Sequence, residues 1–439
     1  MHLEVLSSIS QVKAHDWNLL FAHDYPFCRY EFLHALEVGG SVGAGTGWQP
    51  QHLLLWDGEQ LVAAAPAYLK QHSYGEYLFD RVFAEAYQRY RLRYYPKLLL
   101  AVPFTPAEGP RIGIGQGVDA ALVIPWLQQY LDATDIPMNA NNCTTALGQL
   151  SHWQCLYPGK SEQALFRAAG WLERFDVQFE WQNKHYQSFE HFLAALSARK
   201  RKQIRKERSV VQQQGIRLRT LSGPDLDSTF WQQFYQFYVA TYLKRSGHQG
   251  YLTAETFALW GAQLTSHIVI FSAWDGDNMV AASLCFRSNE KLYGRYWGCT
   301  ETYDRLHFEC CYYSGIQYCI EQGLQAFDAG AQGEHKLQRG FEPVIRTGFY
   351  RFKPAATAPD APQNSGLTTE QQPIGQAELM QSMHSAIANY CLDEQSMVLN
   401  YQQQALAALP FAQLTPAGDI TAVIITAVEA SSPVKNDDE

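Results

Sequence analysis

The residues best placed to do chemistry cluster after a short apolar run, Leu324 to Phe327. Asp328, Gln332, Glu334, His335, Lys336 and Arg339 follow it, interleaved with Gly330, Gly333 and Gly340. A glycine-rich polar loop after a strand lets backbone N–H groups and side chains converge on one ligand; the plainer reading is a solvated turn. Two further stretches could meet phosphate. Arg111-Ile-Gly-Ile-Gly-Gln-Gly117 precedes an expected helix, Ala120 to Leu131, and glycines before a helix N-terminus can cradle an anion. Arg199, Lys200, Arg201, Lys202, Arg205, Lys206 and Arg208 crowd one helical segment. A charge run is usually a solvated face, but this density inside a chain of net charge −9 points to a phosphate-bearing partner. His307, Cys310 and Cys311 have helical metal-ligand spacing, yet no second ligand cluster accompanies them, so no metal is expected.

The elements that must position these groups can be read around them. Leu292 to Gly298 alternates as a strand. Phe308, Tyr312, Gly315, Ile316, Cys319 and Ile320 mark one face of a helix that stops at Gly323. The basic run lies in a long helix expected over 188–214. Earlier, His2 to Ile9 alternates, and Tyr30 to Glu37 reads as a helix ended by Gly39-Gly40. Trp56-Asp57-Gly58 with Val62-Ala63-Ala64 forms a hairpin pattern that returns as Trp274-Asp275-Gly276 with Val280-Ala281-Ala282. Tyr74-Gly-Glu-Tyr77 and Tyr293-Gly-Arg-Tyr296 match in the same order. Two colinear similarities predict a duplicated α/β unit. A further strand and helix over 133–176 would close the first unit. After Phe352 a Pro/Ala-rich stretch reads as linker, Gln376 to Leu409 as a polar amphipathic helix, 418–430 as containing one strand, and 431–439 as an acidic tail.

The bulk properties suit this picture. The chain of 439 residues is 46% hydrophobic and 18% charged, enough for two ordinary domains and an appendage. No apolar run approaches the length of a membrane span, and no signal-peptide pattern is seen at the N-terminus. Nine cysteines without paired spacing suggest reduced thiols and a cytoplasmic location.

Several of these motifs together resemble the Fem-like proteins of peptidoglycan biosynthesis or recognition, within the GNAT acyl-CoA N-acyltransferase superfamily. They are His72 to Asp80, Tyr95-Pro-Lys-Leu, Pro103-Phe-Thr-Pro, Gly109-Pro-Arg111, the basic helix, and Tyr293 to Gly298. To these are added Leu306 to Glu309, Gly330 to Lys336 and Arg339-Gly-Phe341. The resemblance covers about residues 15–410. It implies an α/β (α+β) fold of two tandem GNAT-like lobes, each a mixed twisted sheet flanked by helices, with a C-terminal helical extension. The expected domains are 1–176, 177–353 with the basic helix, and 354–439.

The resemblance also implies acyl or aminoacyl transfer to an amine by direct attack in a ternary complex. Such a reaction needs a proton acceptor and donors for an oxyanion. Glu309, Glu334 and His335 are the candidate catalytic groups. Tyr293, Arg295, Asp328, Gln332, Lys336, Arg339, Lys200 and Arg205 are the candidate substrate ligands. Arg111, Gly113 and Gly115 are the candidate cofactor loop, although Arg111-Ile-Gly-Ile-Gly is one residue shorter than the superfamily's pyrophosphate motif. No permanently bound cofactor is expected; acyl-CoA or aminoacyl-tRNA would be the co-substrate. A small-molecule or nucleotide-linked amine would be the acceptor, with tRNA a candidate partner; neither DNA binding nor membrane insertion is expected. The alternative is a binding protein that kept the fold without the chemistry.

Overall fold

The computed structural model describes residues 1–21, 24–132, 150–331, 333–353 and 375–412. Gln332, the expected linker, the 418–430 strand and the acidic tail lie outside the described residues, as does the 133–149 part of the segment expected to close the first unit.

The chain begins with β1 (His2–Leu6), α1 (Ala14–Leu20), α2 (Tyr30–Val38), β2 (Trp48–Pro50) and the hairpin β3 (His52–Asp57) to β4 (Gln60–Ala65). It continues through β5 (Ala67–Lys70), α3 (Arg81–Arg89), β6 (Lys97–Leu100), β7 (Gly113–Ile114), α4 (Ala120–Asp132), β8 (His152–Leu156) and α5 (Lys160–Ala168). A long strand, β9 (Leu172–Gln182), leads to α6 (Phe189–Ala195) and α7 (Ala198–Gln213). The order then repeats with β10 (Arg217–Leu221), α8 (Ser228–Ser246), α9 (Ala254–Gln263), β11 (Ile268–Asp275), β12 (Asn278–Arg287) and β13 (Lys291–Cys299). One helix follows in three parts: α10 (Leu306–Phe308), a π turn over Glu309–Tyr313, and α11 (Ser314–Glu321). The last elements are β14 (Ala326–Asp328), β15 (Glu342–Phe352) and α12 (Gln376–Ala407).

The duplication is visible in the hydrogen-bond register. β1 pairs antiparallel with β3, placing His2 opposite Trp56, and β10 pairs with β11, placing Arg217 opposite Trp274. Both hairpins carry a register shift at the same step, Leu55/Trp56 and Ala273/Trp274. A shared bulge is a stronger sign of repetition than a shared Asp-Gly turn, because bulges are local geometry kept for a reason. The second sequence match is not structurally equivalent: Tyr293 to Tyr296 lies in β13, whereas Tyr74 to Tyr77 lies in a loop.

The lobes are fused. A four-stranded sheet, β1-β3-β4-β7, belongs to the first. The other sheet has eleven strands in the order β10-β11-β12-β13-β14-β9-β15-β8-β6-β5-β2 and runs through both lobes. β9 spans the expected boundary at 176/177 and pairs with β15 over Leu172 to Glu180. A single core also crosses the junction: Phe32 of α2 stacks on Trp260 of α9 at 4.7 Å between ring centroids, and both rings meet Phe286.

The single basic helix expected over 188–214 is two helices. Leu196 is extended (φ −83°, ψ 156°), forms an isolated bridge with Phe411, and the Ser197 N–H donates to Pro410 O at 2.8 Å. The returning C-terminal segment takes the backbone groups that a continuous helix would have used.

α12 is fastened to β9 by a buried bidentate pair, Arg174 to Glu394 at 2.8 and 2.6 Å, and Arg174 also donates to Phe79 O and Tyr350 Oη. Glu394→Ala leaves a buried guanidinium without its counter-charge and is expected to cost about 3–5 kcal/mol. Arg174→Met combined with Glu394→Leu is expected to recover much of that loss. Urea unfolding of wild type and the two variants measures it; a double variant no more stable than the single one contradicts the account.

Candidate functional site

A cleft of about 650 Å³ lies between the lobes. The first lobe contributes Gly75, Tyr77 and Phe79 from the loop before α3, with Phe104 and Pro106. The second contributes α8, the bulged middle of β13, the 306–321 helix and the glycine loop after β14.

Each wall follows from local sequence. α8 is capped by Asp227, whose side chain accepts from Phe230 N at 2.8 Å, and ends at left-handed Gly247. Tyr238, Thr241, Tyr242 and Arg245 fall at helical spacing on its cleft face. α8 comes very close to β13: a Cβ on Gly298 would sit 2.3 Å from Phe237 O, so only glycine fits there. β12 and β13 slip register between Leu284 and Cys285, pairing them with Tyr296 and Gly294 and leaving Arg295 as the bulged residue. β13 pairs with β14 in parallel only from Lys291 to Tyr293. Beyond that the strands part, and β13 runs on from Gly294 to Cys299 with no strand on that side among the described residues. Gly330, Gly333 and Gly340 all adopt positive φ, as a loop folded back on itself requires. Tyr77 (φ 70°) and Phe104 (φ 57°) are left-handed without being glycine, a strain that collects at functional sites.

Among the candidate groups, His335 and Arg295 line the cleft. His335 Nε2 is 2.8 Å from Tyr312 Oη. Burial, with Arg339 and Lys336 nearby, holds the imidazole down at about 4, so it is neutral at pH 7. His307, its neighbour in the cleft, is held at about 3, first by burial. The Arg295 side chain is 3% exposed, lies over the Phe27 ring and donates to Gly294 O at 2.8 Å. Its Nε is buried with no hydrogen-bond partner.

Other candidates are committed elsewhere. Glu309 leaves the cleft because it sits two positions past His307 on the helix, roughly 200° around the axis. It is buried against α7, where Arg208 Nε holds both its oxygens at 3.1 Å. Glu334 accepts from Tyr401 Oη of α12 at 3.1 Å, outside the cleft. Asp328 is an internal counter-ion. It lies 3.5 Å from Arg295 and 3.7 Å from Arg346, and although burial opposes ionisation, those two cations hold its carboxyl at about 2. Tyr293 packs against Tyr25 and Phe27 in the core. Lys336 is buried, donates to Gly330 O at 2.5 Å and is pushed down to about 8 by burial. It braces the glycine loop. Arg339 donates to Tyr313 Oη and Glu207, and its guanidinium lies 3.6 Å from the Phe308 ring centroid.

Neither Lys200 nor Arg205 lines the cleft; Arg205 pairs with Glu190 at 2.5 Å. Arg111, Gly113 and Gly115 are also absent from its lining. The Arg111 side chain is buried and spends its donors on the carbonyls of Leu156, Gly109, Pro110 and Ala107. Thus bonded, it is a structural staple rather than a pyrophosphate ligand. No group of three His, Cys, Asp or Glu side chains among the described residues could hold a metal ion.

Two features stand beyond the candidates named from sequence. Arg245, at the C-terminal end of α8, faces the cleft and makes no hydrogen bond or ion pair among the described residues, and no Asp or Glu side chain among them lines the cleft. The second is a buried ionic cluster behind the 72–80 loop. Lys97 Nζ donates to Asp80 (2.6 Å), Glu76 (2.7 Å), Ser73 (2.8 Å) and Gln154 (3.1 Å). Lys70 Nζ lies 3.8 Å from Glu76 and 3.6 Å from the Trp48 ring centroid. Burial moves Lys70 down and Glu76 up, each to about 7. Lysine at the end of an apolar strand, as in Lys70, and ahead of one, as in Lys97, was the available sequence signal.

A sequence profile of the FemAB-like family, described as peptidoglycan biosynthesis/recognition, matches residues 8–359, and the chain belongs to that family. No curated protein matches it. Among solved structures the chain is similar to FemX, at 10% identity and TM-score 0.46, covering 80% of this chain and 97% of that one. It is also similar to L-PGS from Bacillus licheniformis, at 12% and 0.43 over 74% and 91%. A third is a tandem GNAT protein from the clavulanic acid biosynthesis pathway, at 8% and 0.39 over 80% and 98%.

The histidines give a pH prediction. Folded His307 stays neutral down to about 3, whereas its unfolded counterpart protonates near 6.5. A depressed histidine therefore costs stability as pH falls below the unfolded value, by at most about 1.4 kcal/mol per pH unit. Wild type is expected to lose stability relative to His307→Gln between pH 6.5 and 5. Urea midpoints of both proteins at pH 7.5, 6 and 5 measure the gap, and a constant gap contradicts the placement.

Proposed function

We propose that the protein transfers an acyl or aminoacyl group to an amine within the inter-lobe cleft. The observation that carries this is the open edge of β13 beside the buried, unpartnered Nε of Arg295. The amide groups of an extended donor arm can hydrogen-bond to strand backbone left free, as a peptide adds to a sheet edge. The carbonyl carbon would then lie where Arg295 can donate to the oxyanion of the tetrahedral intermediate. The amine lone pair forms the new C–N bond, the C–S or C–O bond to the donor breaks, and the leaving group takes up a proton. Neutral His335, with Tyr312 on its Nε2, is the group placed to carry that proton. A covalent route is disfavoured: burial pushes the Cys311 thiol well above its usual range, so no thiolate faces the cleft.

A lining with Arg245 and Arg295 and no carboxylate suits an anionic donor such as acyl-CoA or aminoacyl-tRNA. Family membership favours an amine of a cell-envelope precursor, nucleotide-linked or free, as acceptor. The described cysteines are unpaired thiols, and no described helix is long and apolar enough to cross a membrane; both support the reading of a cytoplasmic enzyme. A second reading, a binding protein without turnover, is favoured by one observation: both expected glutamate bases lie outside the cleft.

The experiment is a transfer assay read by mass spectrometry, with acyl-CoAs and charged tRNAs as donors and nucleotide-linked muropeptides as acceptors. Arg295→Lys is expected to lower kcat about 10²–10³-fold, the scale of one lost oxyanion donor. His335→Gln is expected to lower it about 10²-fold or more. Since His335 is neutral down to about 4, its contribution to the rate should be flat between pH 6 and 8. Ligand binding without turnover under every donor–acceptor pair would favour the binding protein.

A further inference from the structure

The basic segment divides into cations with partners and cations without. Arg205 pairs with Glu190 at 2.5 Å and Arg208 with Glu309 at 2.9 Å. Glu207, the carboxylate within the segment, is buried and pairs with Arg339 instead. Arg199, Lys202 and Lys206 are exposed and make no hydrogen bond or ion pair among the described residues. They recur at i, i+3 and i+7 of α7, which puts them in one stripe on the helix surface. Like charges so spaced repel, and an anionic surface laid over them would relieve the repulsion.

The described C-terminal segment ends beside this stripe. The Ala412 N–H donates to Ala195 O at 2.9 Å, and Phe411 bridges Leu196 at the turn into α7. Residues 413–439 continue from that point. They contain Asp419, Glu429, Asp437, Asp438 and Glu439 against the single cation Lys435. α7 has 16 residues and is therefore about 24 Å long, a span that roughly eight extended residues cover. A tether starting at one end of the stripe holds its acidic groups there at an effective concentration on the order of millimolar.

We propose that the acidic segment 413–439 docks intramolecularly on the Arg199–Lys202–Lys206 stripe of α7, shielding it from other polyanions. The contact is electrostatic and reversible. It weakens with salt, and an external polyanion can displace it.

Zero-length carbodiimide cross-linking of the full chain, with peptide mass spectrometry, tests this. Cross-links from Lys202 or Lys206 to Asp437, Asp438 or Glu439 are expected at 50 mM NaCl and are expected to vanish at 0.5 M. Mixing isotopically light and heavy protein must give links within one chain; links between chains overturn the proposal in favour of a second copy. A chain cut after Ala412, and a full-length chain with Asp437→Asn, Asp438→Asn and Glu439→Gln, should each bind fluorescent heparin about tenfold more tightly than wild type at low salt. Arg199→Gln with Lys202→Gln and Lys206→Gln should abolish that gain. Absent cross-links to α7, or heparin affinity unchanged by either tail variant, overturns the proposal and leaves the stripe to a separate polyanion such as tRNA.

Discussion

A ladder of buried charges at the middle of the long sheet fixes everything around it. Asp328 on β14 lies between Arg295 of β13 and Arg346 of β15; Arg346 reaches Glu180 of β9 at 2.8 Å, and Glu180 also holds Lys291 at 2.8 Å. Charges in a sheet interior are tolerated only when each has an opposite neighbour, and removing one strands the others. The alternation therefore locks four adjacent strands in one order and register. It also fixes where β13 and β14 cease to pair, one step past Tyr293 and Asp328. The opening of the cleft and the position of Arg295 are consequences of that geometry.

The cleft is completed by groups that face it because something behind them is rigid. On the second-lobe side, α10 and the π turn that follows it present His307, Cys311 and Tyr312 to the cleft, while Glu309 and Tyr313 face α7. Such turns are rare and are found most often at functional sites. On the first-lobe side, Lys97 gathers Asp80, Glu76 and Gln154 behind the loop that presents Tyr77 and Phe79. Burial favours neutral forms of Glu76 and Lys70, while Lys97, despite burial, is raised by its two carboxylates. The result is a site with rigid walls, cations at hand, and neutral histidines in place of the expected carboxylates.

Much of the scaffold was legible in sequence. The repeated Trp-Asp-Gly hairpin exposed the duplication, and the glycines after Phe327 exposed the loop beside the cleft. What sequence could not show was which way side chains turn. Glu309 is adjacent in sequence to cleft residues, yet helix geometry and a complementary arginine take it away. Arg111 sits beside glycines as a phosphate ligand would, yet four carbonyls claim its guanidinium. α8 carries aromatic residues nearly all round, so no stripe distinguishes its core face (Phe230, Phe234, Phe237) from its cleft face (Tyr238, Tyr242, Arg245). The split between α6 and α7 depends on a segment two hundred residues away, which no local pattern records.

Amide hydrogen exchange with and without saturating acetyl-CoA, and separately with aminoacylated tRNA, tests the central claim most directly. The account places the donor along the free edge of β13. It predicts that at least one of the two slows exchange at 294–297 and in the 329–331 loop, while 111–117 is unchanged. Protection confined to 111–117, or no protection of the β13 edge by either donor, would contradict it.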